Sequence, residues 1–186
     1  MRKQLILIPG LLLCLFATAS PQNSQLTDKH PLTGLKKLDA YTLIGEKNPF
    51  TDYEPTNPDG TINVVVEIPT GTVAKWEVSK PDGHLNWKFK KGKPRVVQYL
   101  AYPGNYGMVP RTLLHKDMGG DGDPLDVTVL GPTMPRGSVV KAKLVGVLKL
   151  LDHGEQDDKL ITVFKRSALN NVDNLKELNE KIFGVA

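Results

Sequence analysis

Three carboxylates fall within six residues in the stretch Gly119-Gly120-Asp121-Gly122-Asp123-Pro124-Leu125-Asp126-Val127. Like charges packed so closely repel, and hard cations such as magnesium or calcium offset that repulsion by taking oxygen ligands. A solvated acidic turn has the same composition, so the stretch by itself leaves both readings open. A calcium loop of the EF-hand type is excluded by the spacing. Counted from Asp121, the sixth position, which needs glycine, is Asp126, and the twelfth, which needs glutamate, is Pro132. The segment instead predicts Asp121 and Asp123 on a turn, with Asp126 opening a strand and facing back toward them.

A second acidic cluster is Asp152-His153-Gly154-Glu155-Gln156-Asp157-Asp158-Lys159, where Asp152 and Asp157 flank a glycine-containing turn. Taken singly it reads as a polar hairpin loop. Two such loops in one domain favour a site with several magnesium ions, since each ion usually takes one or two carboxylates and fills its remaining positions with water or phosphate oxygens. The cations form the other half of the pattern. Lys75 and Glu77 alternate with Ala74 and Trp76, so on a strand both polar side chains leave the same face, as a surface pair or as part of a site. Arg95 ends the basic run Lys90-Lys91-Gly92-Lys93-Pro94, and Tyr102 and Tyr106 stand four apart around Pro103-Gly104-Asn105.

These residues need elements to position them. Ile62 to Ile68 is β-branched and ends at Pro69, and Val73–Val78 follows a Thr-Gly-Thr turn; both read as strands. Val96–Ala101, Leu125–Leu130, Val139–Leu151 and Leu160–Phe164 read as further strands. Only 172–183 has helical spacing, with Val172, Leu175, Leu178 and Ile182 three or four apart. Short strands punctuated by Gly and Pro, with one late helix, predict a mainly β fold: a barrel with a helix packed on it.

At the N-terminus, Arg2 and Lys3 precede an apolar run from Leu5 to Phe16 and the small residues Ala17-Thr18-Ala19. This is the layout of a cleaved secretory leader, and the run falls short of the roughly 20 apolar residues of a membrane span. Residues 1–19 are therefore expected to be a signal peptide and the protein to be exported, to the periplasm if the source is bacterial, with no membrane attachment after cleavage. The lone cysteine, Cys14, lies within that leader, so the mature chain needs no disulfide. Loss of Arg2 and Lys3 brings the formal charge from +4 to +2. A near-neutral chain without blocks of like charge argues against nucleic acid as a partner. Residues 20–60, rich in Pro, Asn, Thr and Asp, read as a loop-rich extension, and 61–186 as a single domain.

Together these residues identify the chain as similar to the soluble inorganic pyrophosphatases. The resemblance is carried by Val65-Val66-Glu67-Ile68-Pro69, Lys75-Trp76-Glu77, Tyr102-Pro103-Gly104-Asn105-Tyr106-Gly107, Asp121 to Val127, and Asp152 to Lys159, in the family's order. It implies a small five-stranded, OB-like closed barrel with excursions and a packed C-terminal helix, and hydrolysis of inorganic diphosphate with several Mg²⁺ ions, Mn²⁺ or Zn²⁺ being substitutes. By the same resemblance Asp121, Asp126, Asp152 and Asp157 are metal ligands, and Asp123 accepts the proton of the attacking water. Lys75, Arg95, Tyr106 and Lys159 hold phosphate oxygens, Arg95 being preferred over Lys88 or Lys90. Glu67, Glu77 and Tyr102 form an outer ring, and a homo-oligomer is expected. The family's C-terminal Tyr-Lys pair and long terminal helix would lie past Ala186. The chain is therefore expected to be truncated there and slow, with the apolar face of Val172, Leu175, Leu178 and Ile182 less fully buried.

Overall fold

The computed structural model describes residues 33–80 and 82–183, with only the backbone of Ile182 and Phe183. The leader reading of residues 1–19 and the first part of the extension lie outside the described residues. The chain opens with β1 (Lys36–Asp39) and β2 (Thr42–Ile44), then β3 (Ile62–Ile68), β4 (Trp76–Val78) and β5 (Leu85–Trp87). Two short pieces, β6 (Phe89–Lys90) and β7 (Lys93–Pro94), form a hairpin before β8 (Asn105–Met108) and β9 (Asp126–Leu130). The long β10 (Val139–Leu148), the hairpin of β11 (Leu151–Asp152) and β12 (Glu155–Gln156), and β13 (Lys159–Phe164) follow. The helix α1 (Leu175–Leu178) comes last, continued by a π-helical turn to Phe183.

Five strands close into a barrel in the order β10-β13-β9-β8-β3, as expected, and β1-β2-β5-β4 make a separate four-stranded sheet. All barrel pairs are antiparallel except β9 with β13. Alternation along β3 sends Val64 and Val66 into the barrel, where they pack with Val127, Val129, Val140 and Ala142. Val65 points outward, yet it is buried too, against Trp76, Val78, Leu85 and Met108 of the covering elements. This double burial explains why β3 reads as an unbroken β-branched run instead of an alternating one. Gly107 marks the closest crossing: a Cβ there would collide with the backbone oxygen of Val65, so the β3–β8 pair requires glycine.

Several expectations are corrected. Within the 20–60 segment, residues 36–44 form the β1–β2 hairpin, which joins β5. Residues 96–101 do not form a strand; Val96 makes an isolated bridge to Ala74, and Tyr99 and Leu100 are exposed. The helix begins at Leu175, where the Asn174 side chain caps it by accepting from the Glu177 N–H. Val172 stands before it at the end of a 3₁₀ turn. Val172 and Leu178 are buried against Val145 and Val163, not left open, whereas Leu175 is partly exposed.

Candidate active site

The outward-facing residues of β8 and β9 create the site. Met108 pairs with Asp126 and Tyr106 with Thr128, so Asp126 and Tyr106 share the outer face while Val127 and Val129 go into the core. The parallel register sets Lys159, the first residue of β13, beside Asp126, the first of β9. Lys159 Nζ consequently makes very short contacts to both Asp126 Oδ2 and Asp157 Oδ1. Burial works against its charge, but the two carboxylates outweigh it and hold the ammonium above its ordinary pKa. Burial and the neighbouring Asp126, to which its hydroxyl is hydrogen-bonded, push Tyr106 far up, so it stays a phenol at any physiological pH. The Tyr102 ring tilts against Tyr106 with centroids 5.1 Å apart, and Lys75 Nζ sits 5.0 Å above the Tyr106 ring.

Between this face and the four-stranded sheet lies a cavity of about 470 Å³, lined among others by Glu67, Lys75, Glu77, Lys88, Asp123 and Asp126. That is the size range of small-molecule sites. Glu67 is buried at the far end of β3; its Oε1 accepts from the Val78 N–H at 2.7 Å, and burial drives its pKa up to about 8. Glu77 lies between two ammoniums, with Lys75 at 3.2 Å and Lys88 at 2.8 Å. Burial opposes its charge, but the lysines prevail and its carboxyl is held below the ordinary value. Asp123 lines the cavity in contact with Lys80, whose Nζ also donates to the Gly122 carbonyl at 2.7 Å.

The two acidic loops are joined by backbone. Gly120 bridges Gln156, and the Gln156 N–H donates to Gly119 O at 2.7 Å. Of the residues expected in the site, Glu67, Lys75, Glu77, Asp123 and Asp126 line the cavity, and Tyr102, Tyr106, Asp157 and Lys159 connect to it through the contacts above. Three stand apart. Asp121 caps its own turn by accepting from the Asp123 N–H at 2.8 Å. Asp152 is 71% exposed on the β11–β12 hairpin beside His153, and Arg95 is exposed and not part of the cavity lining.

Lys80 and Arg136 were not singled out from the sequence as site residues, and Lys88, ranked there behind Arg95, is the one of the two that lines the cavity. Arg136 stacks over Trp76 at 4.5 Å and donates to the Glu67 carbonyl at 2.9 Å, fixing the strand end that carries the Glu67 carboxyl. Burial lowers its pKa to about 10, which leaves it charged. Asn105 is fully buried, and its amide accepts from the Thr70 and Met134 N–H groups and donates to the Val129 and Pro132 carbonyls. Only its place between the motif's Tyr102 and Tyr106 hinted at this. Among the described residues no group of three or more His, Cys, Asp or Glu side chains is gathered on one point. Asp126 and Asp157 do converge on one cationic atom, and such a pair of hard oxygen donors suits Mg²⁺, which usually takes one or two carboxylates.

Fold and site together define a mainly β protein built on a closed five-stranded barrel, with a cavity on the barrel's outer face walled by carboxylates and lysines. The chain belongs to the inorganic pyrophosphatase family, whose model matches residues 64–184. It is 39% identical over 127 residues to the inorganic pyrophosphatase of Gluconobacter oxydans, covering 64% of this chain and 68% of that protein. It is 40% identical over 120 residues to the soluble inorganic pyrophosphatase of Zea mays, covering 62% of this chain and 50% of that one. The chain thus spans about half the length of the plant relatives it matches. Among solved structures, the type I inorganic pyrophosphatase of Toxoplasma gondii superposes with a TM-score of 0.72 at 27% identity, over 77% of this chain and 72% of that one.

Proposed function

We propose that the chain hydrolyses inorganic diphosphate to two phosphates with Mg²⁺ as the activating ion. The observation that carries this reading is the charge arrangement of one cavity. Asp126 and Asp157 close on a single cation position, and Lys75 and Lys88 stand in the facing wall. A carboxylate cluster alone would repel a polyphosphate, and a lysine cluster alone would merely bind one. The combination gives a hydrolase both of its requirements, neutralisation of the anion and a means of activating water.

Asp126 and Asp157, with Asp121 and Asp152 from the joined loops, are the residues that would hold the metal. Bound there, Mg²⁺ would supply charge neutralisation and lower the pKa of a coordinated water. Asp123, on the same turn as Asp121 and at the cavity wall, takes the proton as water oxygen bonds to phosphorus. The bridging P–O bond breaks, and its electron pair leaves on the departing phosphate, which then picks up a proton. Lys75, Tyr106, Lys159 and the nearby Arg95 hold phosphate oxygens. Tyr106 does so as a donor, because burial keeps its proton in place. Glu67, Glu77 and Tyr102 orient the surrounding groups.

The deciding experiment measures phosphate release from diphosphate with Mg²⁺, Mn²⁺ or Zn²⁺, and with excess EDTA. Release that depends on metal supports the reading. Turnover unchanged by EDTA, or none with any of the three ions, removes it.

A further inference from the structure

Lys75, Lys88 and Arg95 lie on three separate segments locked together by a closed ring of backbone hydrogen bonds. The Lys88 N–H donates to Lys75 O at 2.9 Å, the Lys75 N–H to Arg95 O at 3.0 Å, and the Arg95 N–H to Lys88 O at 2.7 Å. The Trp87 indole N–H adds a second bond to Arg95 O at 2.9 Å. Whatever precision the fold gives the main chain of Lys75 it therefore gives that of Lys88. Both side chains line the same cavity, and each grips a different oxygen of one carboxylate, Glu77.

Charge balance shows what the second lysine is for. Glu77 needs one ammonium for neutrality, so the trio of Lys75, Glu77 and Lys88 carries a surplus positive charge facing the cavity. Lys75 is deep, its side chain 13% exposed; Lys88, at 51%, stands toward the mouth. The backbone of Lys88 ties these segments together, while its half-exposed ammonium, in a partly solvated pair, contributes little more to stability. It is pre-positioned, however, for an anion entering from solvent.

We propose that Lys88 is a further substrate-binding residue, which passes from Glu77 to an oxygen of the outer phosphate of diphosphate when the anion enters, while Lys75 holds the inner one. This rests on the proposed diphosphatase activity and adds a ligand to that site. Glu77 is then a shared counter-ion that keeps two ammoniums close together before substrate arrives. Such a contact is charge-assisted but partly solvated, and its loss weakens binding more than it slows the chemical step.

The test compares the full chain with Lys88→Met, Lys88→Arg, Glu77→Gln and the Glu77→Gln/Lys88→Met double variant. Michaelis constant and turnover are measured with Mg²⁺ and diphosphate, and equilibrium binding of the non-hydrolysable imidodiphosphate is measured by calorimetry with Mg²⁺. Lys88→Met is expected to raise the Michaelis constant and weaken imidodiphosphate binding by about tenfold, with turnover changed far less and Lys88→Arg restoring most of the affinity. The loss must persist in the Glu77→Gln background, because the lysine then acts on the anion directly. Unchanged binding in Lys88→Met, or a loss that vanishes in that background, overturns the proposal. If the native chain binds imidodiphosphate but releases no phosphate, the activity reading fails and the binding comparison still decides Lys88. If the native chain does not bind it at all, both fail.

Discussion

The two halves of the carboxylate set are mounted differently. Asp126 sits in a barrel strand, fixed by register to Met108 on one side and Lys159 on the other, and in contact with Tyr106 and Lys159. Asp121 and Asp123 sit on a turn and Asp152 at the end of the short β11, solvent-accessible, with Asp121 turned to a local cap, Asp123 to Lys80 and Asp152 beside His153. The barrel thus fixes the geometry of Asp126, one of the proposed metal ligands. The other proposed ligands come from the two acidic segments, which the Gly120–Gln156 bridge ties to each other. Rigid mounting suits the group that must stay put through a catalytic cycle, and mobile mounting suits groups that admit and release ions.

The sharpest way to break this comparison is to damage the rigid half. Gly107→Ala puts a methyl group into the Val65 carbonyl, where backbone meets backbone and neither can yield. A cost of about 3 kcal/mol or more is expected, with stability and metal binding falling together, as read by urea unfolding and Mg²⁺ titration. A native-like unfolding midpoint would mean that the barrel is softer than its register implies.

Next in size is Asp123→Asn, which keeps the volume but cannot take the proton. Turnover should drop by about a hundredfold or more while Mg²⁺ affinity changes little. If affinity drops instead and turnover per metal-loaded protein survives, Asp123 is a ligand and the division of labour on the loop is wrong.

Glu67 tests the rigid half through pH. Its folded pKa of about 8 exceeds the ordinary 4.5, so between those values the unfolded chain has released a proton that the folded chain retains. Stability from this group is therefore complete below about pH 4.5 and is lost as pH rises toward 8. In EDTA, Glu67→Gln should gain stability relative to the native chain as pH rises through this window. Parallel pH profiles for the two proteins would show that Glu67 is not desolvated as the structure has it. The smallest effect is expected from Asp152→Asn: a Mg²⁺ affinity weakened roughly three- to tenfold, with no change in unfolding, since the side chain is mostly exposed. A larger loss would move Asp152 to the rigid half.

Much of this was legible in the sequence where a residue's type and its spacing told the same story. Asp126 opening a strand, and Lys75 sharing a face with Glu77, follow from period-two alternation and are found so. A barrel followed from the short Val-rich strands, and its five-stranded closure from the resemblance. What depends on distant partners was hidden. The β1–β2 hairpin has too few residues to show a period, and it exists because β5 pairs with it. Residues 96–101 have strand composition, but apart from the bridge at Val96 no neighbour pairs with them; the chain bends at Gln98 and Tyr99, and Tyr99 and Leu100 are exposed. In the sequence Lys88 ranked behind Arg95 as the phosphate-holding cation, since a guanidinium can grip two oxygens at once. The hydrogen-bond ring beside Lys75, the ion pair to Glu77 and the place in the cavity lining set Lys88 apart.

The parallel pairing of β9 and β13 also governs when the centre of the site comes together. Asp126 and Lys159 are 33 residues apart, and their contact exists only when two strands that cannot form a hairpin have found each other. Such non-local pairing is slow, because loop closure costs entropy before any contact repays it. On the way to the native state, local hairpins such as β11–β12 can form early while the centre of the site cannot. Recovery of the proposed diphosphatase activity during refolding is then a clock for barrel closure and should lag every signal that reports only local strand formation.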